Sequence, residues 1–274
     1  MLALERARAL GGIVVNADAL QVYDGLRVVT ARPAVEDEAA VPHRLYGSVA
    51  PETRFSTGAW AAAAQELIEQ TAATDSGLVF VGGTGLYFAA LEAGFADVPE
   101  VPAEVTAAVM AEVQGLDAAG RGALIAVRDP LMAERLAAPD PQRVVRALAV
   151  LAATGRSLAW FQDQAQQGLL DGFDVERIVL NPARDVLRAR IATRFGSMLS
   201  HGAVEEVEAL LARRLDPSLP AMKAIGVREI GDWLGGRISR DEMIERAVTA
   251  TRQFAKRQRT WFRGRMADWQ WVES

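Results

Sequence analysis

Three short segments of the chain carry residues that could do chemistry. The first spans 16–23, reads Asn-Ala-Asp-Ala-Leu-Gln-Val-Tyr, and places Asp18 just after an apolar run. The second is the glycine-rich run 82–85, which contains Thr84, and the third is the basic run 252–263. A carboxylate after a strand can serve as a general base, and a carboxylate that hydrogen-bonds its own turn is the common structural alternative. A hydroxyl at a helix start can meet a phosphate, with a plain tight turn as its alternative.

The basic run places four cations at helical spacing. They are Arg252, Lys256, Arg259 and Arg263. Such spacing puts all four on one stripe of a helix, and residues 252–265 contain no Asp or Glu to offset them. A solvated basic face near a helix C-terminus is the structural alternative. In a chain of net charge -5, however, the stripe favours contact with a nucleic-acid backbone. Trp261 and Phe262 beside it could stack on bases or pack in the core.

Composition narrows the classes of protein to consider. With 274 residues and 50% hydrophobic residues, the chain is long enough for one large domain or for a core plus an insertion. It has no Cys, which excludes disulfides, thiolate metal sites and a cysteine nucleophile. The first ten residues are too charged for a signal peptide, and no apolar run is long enough to cross a bilayer. We expect no membrane role and a cytoplasmic location. No metal site is expected, so His43 is interpreted as structural and His201 as a helix cap.

Helices and apolar strands alternate in the first part of the chain. This pattern predicts an α/β fold with a parallel sheet flanked by helices. The predicted elements are a helix over 2–10, a strand over 13–15, a helix over 60–71, a strand over 78–81 and a helix over 86–91. Because ligands bind at the carboxyl ends of parallel strands, Asp18 and residues 82–84 are expected to face one crevice.

The second part is predominantly helical. We expect a small helical insertion over 99–138, and an α/β core made of 1–98 and 139–274 whose C-terminal helices carry the basic stripe. Asp140 and Pro141 predict the start of a helix that ends at Gly155. Further predicted elements are a strand over 177–181, helices over 183–199 and 204–214, and a last helix from a capping box at 239–242 to about 263.

Taken together, the three segments resemble the tRNA dimethylallyltransferases. These enzymes transfer a dimethylallyl group from dimethylallyl diphosphate to N6 of the adenine 3′ of the anticodon. The resemblance rests on the octapeptide 16–23, on Val-Gly-Gly-Thr-Gly-Leu-Tyr over 81–87 and on the basic run up to Arg263, in that order along the chain. It implies a P-loop-NTPase-like parallel sheet flanked by helices, a small helical insertion and a helical C-terminal part whose helices bind tRNA.

The resemblance also implies roles for individual residues. Asp18 would act on the exocyclic amine of adenine, and Thr84 and Arg228 would meet the diphosphate and the reacting groups. For Arg228, pairing with Glu229 or another helical neighbour is the structural alternative. The implied tRNA contacts are Asp18, Ala19, Leu20, Gln21, Gln142, Arg143, Val144, Val145, Arg146, Arg252, Lys256, Arg259 and Arg263. The implied cofactor is Mg²⁺, the partners are a tRNA anticodon stem-loop and dimethylallyl diphosphate, and the expected state is a monomer.

One family motif does not occur in this sequence. Members begin with a phosphate-binding loop, Gly-x-x-x-x-Gly-Lys-Ser/Thr, whereas the first lysine of this chain is Lys223. The helix over 2–10 resembles the helix that follows this loop, which predicts that roughly 20 residues, a strand and its turn, precede it in relatives. We therefore expect the chain as written to bind diphosphate poorly and to be less stable than a complete relative. Smaller departures are Ala19 for Ser, Arg32 for Lys and Val227 for Tyr.

Two other functions fit part of the sequence. The chain could be a tRNA-binding protein that has lost catalysis together with the phosphate loop. It could also be a prenyltransferase for free adenine nucleotides or, more distantly, a nucleotide kinase of the P-loop class. A protein that acts on free nucleotides needs no basic stripe, so residues 252–263 argue against the second alternative.

Overall fold

A computed structural model describes residues 2–74, 76–164 and 166–273 of the chain. The chain divides into two compact units. The first, called here the α/β unit, consists of Met1–Glu92 and Leu169–Ser274. The second, called the helical unit, consists of Ala93–Gly168.

The α/β unit contains two small parallel sheets. Its first segment forms α1 (Leu2–Ala9), β1 (Ile13–Asn16), α2 (Val35–Ala40), β2 (His43–Arg44), α3 (Thr57–Ala72), β3 (Leu78–Val81) and α4 (Gly85–Ala93). The helical unit forms α5 (Ala103–Val113), α6 (Ala118–Arg128), α7 (Pro130–Arg135), α8 (Pro141–Thr154) and α9 (Leu158–Gln162). The chain then returns to the α/β unit with β4 (Ile178–Leu180), α10 (Arg184–Ser200), α11 (Ala203–Ala212), a 3-10 turn (Ala221–Lys223), α12 (Val227–Leu234), α13 (Arg240–Arg265) and β5 (Gln270–Val272).

The order of strands in the larger sheet is β2-β1-β3, and all three are parallel. Val14 of the central strand pairs with His43 on one side and with Val79 on the other. The smaller sheet pairs β4 with β5, also in parallel. The predicted α/β class, the parallel sheet and the strands over 13–15, 78–81 and 177–181 are therefore confirmed. The sequence did not predict β2 and β5, because two or three residues show no apolar alternation.

Local sequence explains where the long helices begin and end. The carboxylate of Asp140 accepts hydrogen bonds from the backbone N–H groups of Gln142 and Arg143, which caps α8. Gly155, in the left-handed conformation with φ 70°, ends this helix. The hydroxyl of Ser239 accepts from the N–H of Glu242 and caps α13. Both predicted helices are therefore present, and the second runs to Arg265.

The helical unit extends further along the chain than the expected insertion over 99–138. Its core joins α8 to the preceding helices, with Val144 and Leu148 packed in one cluster with Val109, Val113 and Ile125. The sequence-based division placed 139–168 in the α/β core. The apolar stripe of α8 is instead buried against α5 and α6, so the compact unit ends only at Gly168.

The core of the α/β unit is built around large aromatic side chains. Trp60 of α3 and Tyr87 of α4 are almost completely buried, and their rings stack with centroids 4.2 Å apart. Trp60 also contacts both strands, since its indole N–H donates to the carbonyl of Asn16 in β1 and its ring meets the ring of Phe80 in β3. No helix in the described part of the chain is both long and apolar enough to cross a membrane.

Candidate functional site

Asp18 lies two residues beyond the last residue of β1, in a tight turn. One oxygen of its carboxylate, Oδ1, accepts hydrogen bonds from the backbone N–H groups of Leu20 at 2.9 Å and Gln21 at 3.4 Å. The other oxygen faces the glycine turn, since a Cβ atom added to Gly83 would lie 3.6 Å from Oδ2. The carboxylate therefore hydrogen-bonds its own turn, as a purely structural Asp would. Only Oδ1 is used for this, which leaves Oδ2 to accept a proton.

Burial raises the pKa of the Asp18 carboxyl above its ordinary value. Hydrogen bonds from the backbone of Leu20 and Gln21 and the positive charge of Arg194 act in the opposite direction, and the net shift of the pKa is upward. A carboxylate with a raised pKa is a stronger base than an ordinary Asp. It is therefore better suited to accept a proton from a weakly acidic amine.

Thr84 joins the glycine turn to the Asp18 turn. Its hydroxyl oxygen accepts a hydrogen bond from the backbone N–H of Ala19 at 2.9 Å, and its own N–H donates to the carbonyl of Ala17 at 3.1 Å. Gly82 is required for this approach, because a Cβ there would lie 2.1 Å from the backbone carbon of Ala17. The structure thus brings Asp18 and residues 82–84 together at the carboxyl ends of neighbouring strands, as the sequence predicts.

A cleft of about 680 Å³ opens beside these two turns. Asp18, Leu20 and Gln21 line it on one side, together with Gly82 and Gly83. The side-chain amide of Gln21 donates to the carbonyls of Thr30 and Ala31, and it thereby fixes the segment 29–33 that lines another part of the cleft. The volume of the cleft is sufficient for a nucleobase and its sugar.

Three cations line this cleft that the sequence analysis did not identify, Arg194, Lys223 and Arg257. Arg194 belongs to α10, whose cleft-facing side also presents Ile191 and Phe195. Arg194 lies on the apolar face of an amphipathic helix, and this pattern in the sequence could have marked it as a candidate site residue. Lys223 ends a 3-10 turn, and Arg257 lies beside the predicted stripe of α13. Their presence in one cleft with Asp18 depends on tertiary packing and is not visible in the local sequence.

The helix α13 packs directly on the glycine turn. The side-chain amide of Gln258 donates to the carbonyl of Gly83 at 2.7 Å, and a Cβ on Gly83 would lie only 2.0 Å from its Nε2. A Cβ on Gly85 would lie 2.2 Å from the ring of Trp261. These glycines therefore serve the close approach of α13 as well as the turn. Of the two roles considered for Trp261, base stacking and packing in the protein, the structure shows packing against Gly85.

The predicted basic stripe lies on the same helix. Arg252, Lys256 and Arg263 are exposed, whereas Arg259 is half-buried. Burial lowers the pKa of Arg259, and the positive charges of Arg263 and Arg184 lower it further. Within the described residues, no carboxylate forms an ion pair with any of the four stripe cations. The stripe is thus a concentration of positive charge with local repulsion, which an anionic partner would relieve.

Arg228 is not among the residues that line the Asp18 cleft. It lies at the start of α12 with its side chain 84% exposed, and its Nε is 3.9 Å from the carboxylate of Asp232. It borders a separate hollow of about 410 Å³, together with Glu245 and Arg246 of α13. Arg228 therefore has an acidic partner one helical turn away, Asp232, as expected if its role is only structural. The catalytic role that the resemblance implies for Arg228 stays a prediction.

The segment 142–146 lies at the start of α8 in the helical unit. Gln142, Arg143 and Arg146 are exposed, and Val145 is half-buried. Val144 has no exposed surface and packs in the core of that unit. The polar side chains of this segment are therefore accessible for the predicted tRNA contacts, whereas the side chain of Val144 is buried in the core of the unit.

The two histidines have local roles in the structure. The ring Nδ1 of His43 lies 2.7 Å from the carbonyl of Val41 and therefore donates to it. His201 is the C-terminal cap residue of α10, and its Nδ1 lies 2.6 Å from the carbonyl of Ser197. In the described ranges, no group of three or more His, Asp or Glu side chains could hold a metal ion. Mg²⁺ bound mainly through substrate phosphates needs only one or two protein ligands, and the structure assigns none.

Comparison with known proteins identifies the family of this fold and site. The family model described as IPP transferase matches residues 21–265. A tRNA dimethylallyltransferase of Chelativorans sp. (strain BNC1) is 50% identical over 272 residues, which cover 98% of this chain and 92% of that protein. One of Methylobacterium sp. (strain 4-46) is 49% identical over 272 residues, with coverage of 99% and 89%.

A solved structure agrees with this result. The full-length tRNA isopentenylpyrophosphate transferase from Bacillus halodurans superimposes with a TM-score of 0.68 and 29% sequence identity. The match covers 99% of this chain and 84% of that protein. The sequence identity, the extent of the family match and the shared α/β architecture lead to one conclusion, which is that the chain belongs to the IPP transferase family.

Proposed function

We propose that the protein transfers a dimethylallyl group from dimethylallyl diphosphate to N6 of the adenine 3′ of the anticodon in tRNA. The observation that carries the proposal is the Asp18 carboxylate, held by backbone N–H groups beside the Thr84 turn and facing a cleft of about 680 Å³. Its relatives named tRNA dimethylallyltransferase support the same reaction.

The target nitrogen explains why the reaction needs a base. The lone pair of the adenine amine is delocalised into the ring, so the nitrogen is a weak nucleophile. In the proposed step, N6 forms a bond to the allylic carbon while the bond from that carbon to the diphosphate oxygen breaks. The electron pair of the broken bond leaves with the diphosphate, and the N6 proton passes to the Asp18 carboxylate. Burial raises the pKa of Asp18, which favours this proton transfer.

The leaving group carries negative charge that must be stabilised. We propose that Arg194, Lys223 and Arg257, which line the cleft, neutralise substrate phosphates there. The Thr84 hydroxyl accepts from Ala19, and its proton is available to a phosphate oxygen. Mg²⁺ would supply further neutralisation when bound to the diphosphate, and Arg228 is the remaining predicted contact.

The RNA must present its base outside the stack, as for other base-modifying enzymes. We propose that Ala19, Leu20 and Gln21 contact the extruded adenine, because they border Asp18. The exposed members of the stripe would hold the phosphate backbone of the anticodon stem-loop, with Gln142, Arg143 and Arg146 as contacts from the helical unit. An enzyme that acts on tRNA in this way is expected to work in the cytoplasm, and we propose a monomer.

The experiment compares two anticodon stem-loop RNAs that differ only at the target base. One carries adenine, and the other carries hypoxanthine, which lacks the exocyclic amine. With dimethylallyl diphosphate and Mg²⁺, the RNA mass should increase by one dimethylallyl group for adenine only. Equal modification of both RNAs would contradict the assigned nitrogen. Binding of the RNA without any increase in mass would favour the alternative, a tRNA-binding protein without catalysis.

A further inference from the structure

Asn16, the last residue of β1, is a buried polar residue to which the proposed reaction assigns no role. It has 0% exposed surface. Among the described residues, Asp129 of the helical unit is the other polar or charged side chain buried to this degree. A buried side-chain amide lowers stability unless its hydrogen-bonding groups are satisfied, so the partners of Asn16 indicate what it does.

The side-chain amide of Asn16 holds the backbone of Asp18 on both sides. Its Oδ1 accepts from the N–H of Asp18 at 2.9 Å, and its Nδ2 donates to the carbonyl of Asp18 at 2.9 Å. Together the two bonds leave the Asp18 backbone little freedom to rotate. The direction in which the carboxylate points is therefore set partly by Asn16.

The second proton of the Asn16 amide reaches another wall of the cleft. Nδ2 donates at 3.0 Å to the carbonyl of Leu45, a residue in the left-handed region with φ 62°. A branched side chain rarely adopts this conformation without support from its surroundings. Leu45 is followed by Tyr46, which lines the cleft. Asn16 thus connects Asp18, the proposed general base, to the strained segment at Leu45, which also borders the cleft.

A closed ring of contacts, called here the circuit, connects Asn16 with the Asp18 turn and the glycine turn that contains Thr84. The indole N–H of Trp60 donates to the backbone carbonyl of Asn16 at 2.8 Å, and Trp60 stacks on Tyr87. The N–H of Tyr87 donates to the carbonyl of Thr84 at 2.9 Å. Thr84 in turn accepts from Ala19, the residue after Asp18. Each member of the circuit is therefore fixed by the next, and the only carboxylate in it is that of Asp18.

We propose that Asn16 is a positioning residue, which holds the carboxylate of Asp18 in the geometry that proton acceptance from the substrate amine requires. Asn16 itself is buried and is not among the residues that line the cleft. Its role in the reaction rests on the proposed function, whereas its effect on the Asp18 carboxyl does not. The alternative is that Asn16 contributes only to stability, like any buried polar group.

Two variants and one control separate these roles. Asn16→Ala removes all three side-chain hydrogen bonds. In Asn16→Ser the hydroxyl can still accept from the Asp18 N–H and donate to one carbonyl, so this variant also tests the proposal if Asn16→Ala fails to fold. Val207→Ala is the control, because Val207 is fully buried in the same unit and lies in α11, away from the cleft lining. It lowers stability without touching the turn.

The first readout is the pH titration of the Asp18 carboxyl, followed by carbon-13 NMR and assigned with Asp18→Asn. The raised pKa of Asp18 is caused mainly by its burial, so a turn that opens to water moves the midpoint down toward the ordinary Asp value. We expect this movement in Asn16→Ala, a smaller one in Asn16→Ser and none in Val207→Ala. A midpoint that does not move in either Asn16 variant would overturn the proposal, as would an equal movement in the control.

The second readout is the rate of prenyl transfer with bound RNA. We expect Asn16→Ala to lower the rate on the order of 10²-fold, as a misplaced catalytic group does, with RNA affinity unchanged. Asn16→Ser should recover part of the rate. A rate that falls only as far as it does in Val207→Ala would overturn the proposal. If the wild-type protein transfers no prenyl group, the proposed function fails, and the NMR titration still decides the role of Asn16.

Discussion

The backbone N–H of Ala19 donates a hydrogen bond to the hydroxyl oxygen of Thr84 across a separation of 65 residues in sequence. This contact joins the turn that carries Asp18 to the glycine turn at the end of the neighbouring strand. It therefore connects the proposed base to the place where the phosphate of the second substrate is expected.

Thr84→Val should separate the two turns. Valine has nearly the shape of threonine but no acceptor, so the N–H of Ala19 would lose its partner at a cost of about 1–3 kcal/mol in the free energy of unfolding. We also expect a lower rate of prenyl transfer. Thr84→Ser keeps the hydroxyl and is the matched control. Denaturant unfolding and single-turnover kinetics measure both effects, and equal behaviour of the two variants would refute the role given to the hydroxyl.

Asp18→Asn should make the protein more stable at neutral pH. Burial raises the pKa of Asp18 in the folded chain above its unfolded value, so the folded state holds that proton more tightly. The stabilising effect is complete below the unfolded pKa and is lost as the pH rises through the folded pKa. The neutral amide avoids this loss.

We therefore expect the Tm of Asp18→Asn to exceed that of the wild type by a margin that grows as the pH rises. Thermal unfolding between acidic and neutral pH measures the margin. Asp24 is exposed and lies in the next turn along the chain, so Asp24→Asn is the control for the loss of one negative charge. A wild type that is more stable than Asp18→Asn at neutral pH would contradict the raised pKa.

Gly83→Ala and Gly85→Ala should both disturb the packing of α13. A Cβ at Gly85 would overlap the ring of Trp261, and a Cβ at Gly83 would overlap the amide of Gln258. We expect losses of about 1–3 kcal/mol in the free energy of unfolding, as for other overpacked sites. Gln258 is flexible, so the loss should be smaller for Gly83→Ala. Gly264→Ala, where nothing lies within 4 Å of the added Cβ, is the control.

The basic stripe should control RNA affinity through phosphate contacts. Replacing Arg252 and Lys256 with Gln should weaken binding of anticodon stem-loop RNA and reduce the slope of log affinity against log salt by about one unit per residue. Replacing Arg6 and Arg8 of α1 with Gln removes the same charge elsewhere and is the control. A salt slope that the stripe variant leaves unchanged would refute phosphate contact by these two residues.

The sequence predicted the elements whose pattern is local. The apolar runs of β1 and β3 indicated parallel strands, and their carboxyl ends placed Asp18 and Thr84 in two turns that contact each other. The cleft walls were harder to predict, because Arg194 and Gln258 reach the site only through the packing of α10 and α13. No local pattern indicates the role of Asn16 either, since the partners of its side chain are set by the tertiary fold.

Two expectations about position also depended on packing that local sequence does not show. The family resemblance assigns Arg228 to the reacting groups; its exposed side chain borders a separate hollow with residues of α13, and its catalytic role stays a prediction. The helix α8 looked like part of the α/β core, yet its apolar stripe is buried within the helical unit. For α8 the local pattern predicted the helix correctly, but not the neighbours that it packs against.

The most direct test of the proposed role of Asp18 is the single-turnover rate of prenyl addition to an anticodon stem-loop RNA, measured for the wild type and for Asp18→Asn at saturating RNA and dimethylallyl diphosphate. We expect one dimethylallyl group per RNA, and a rate about 10²–10⁴-fold lower in Asp18→Asn with RNA affinity retained. Asp24→Asn should keep the wild-type rate. Equal rates for the wild type and Asp18→Asn, or no addition by the wild type, would contradict this role.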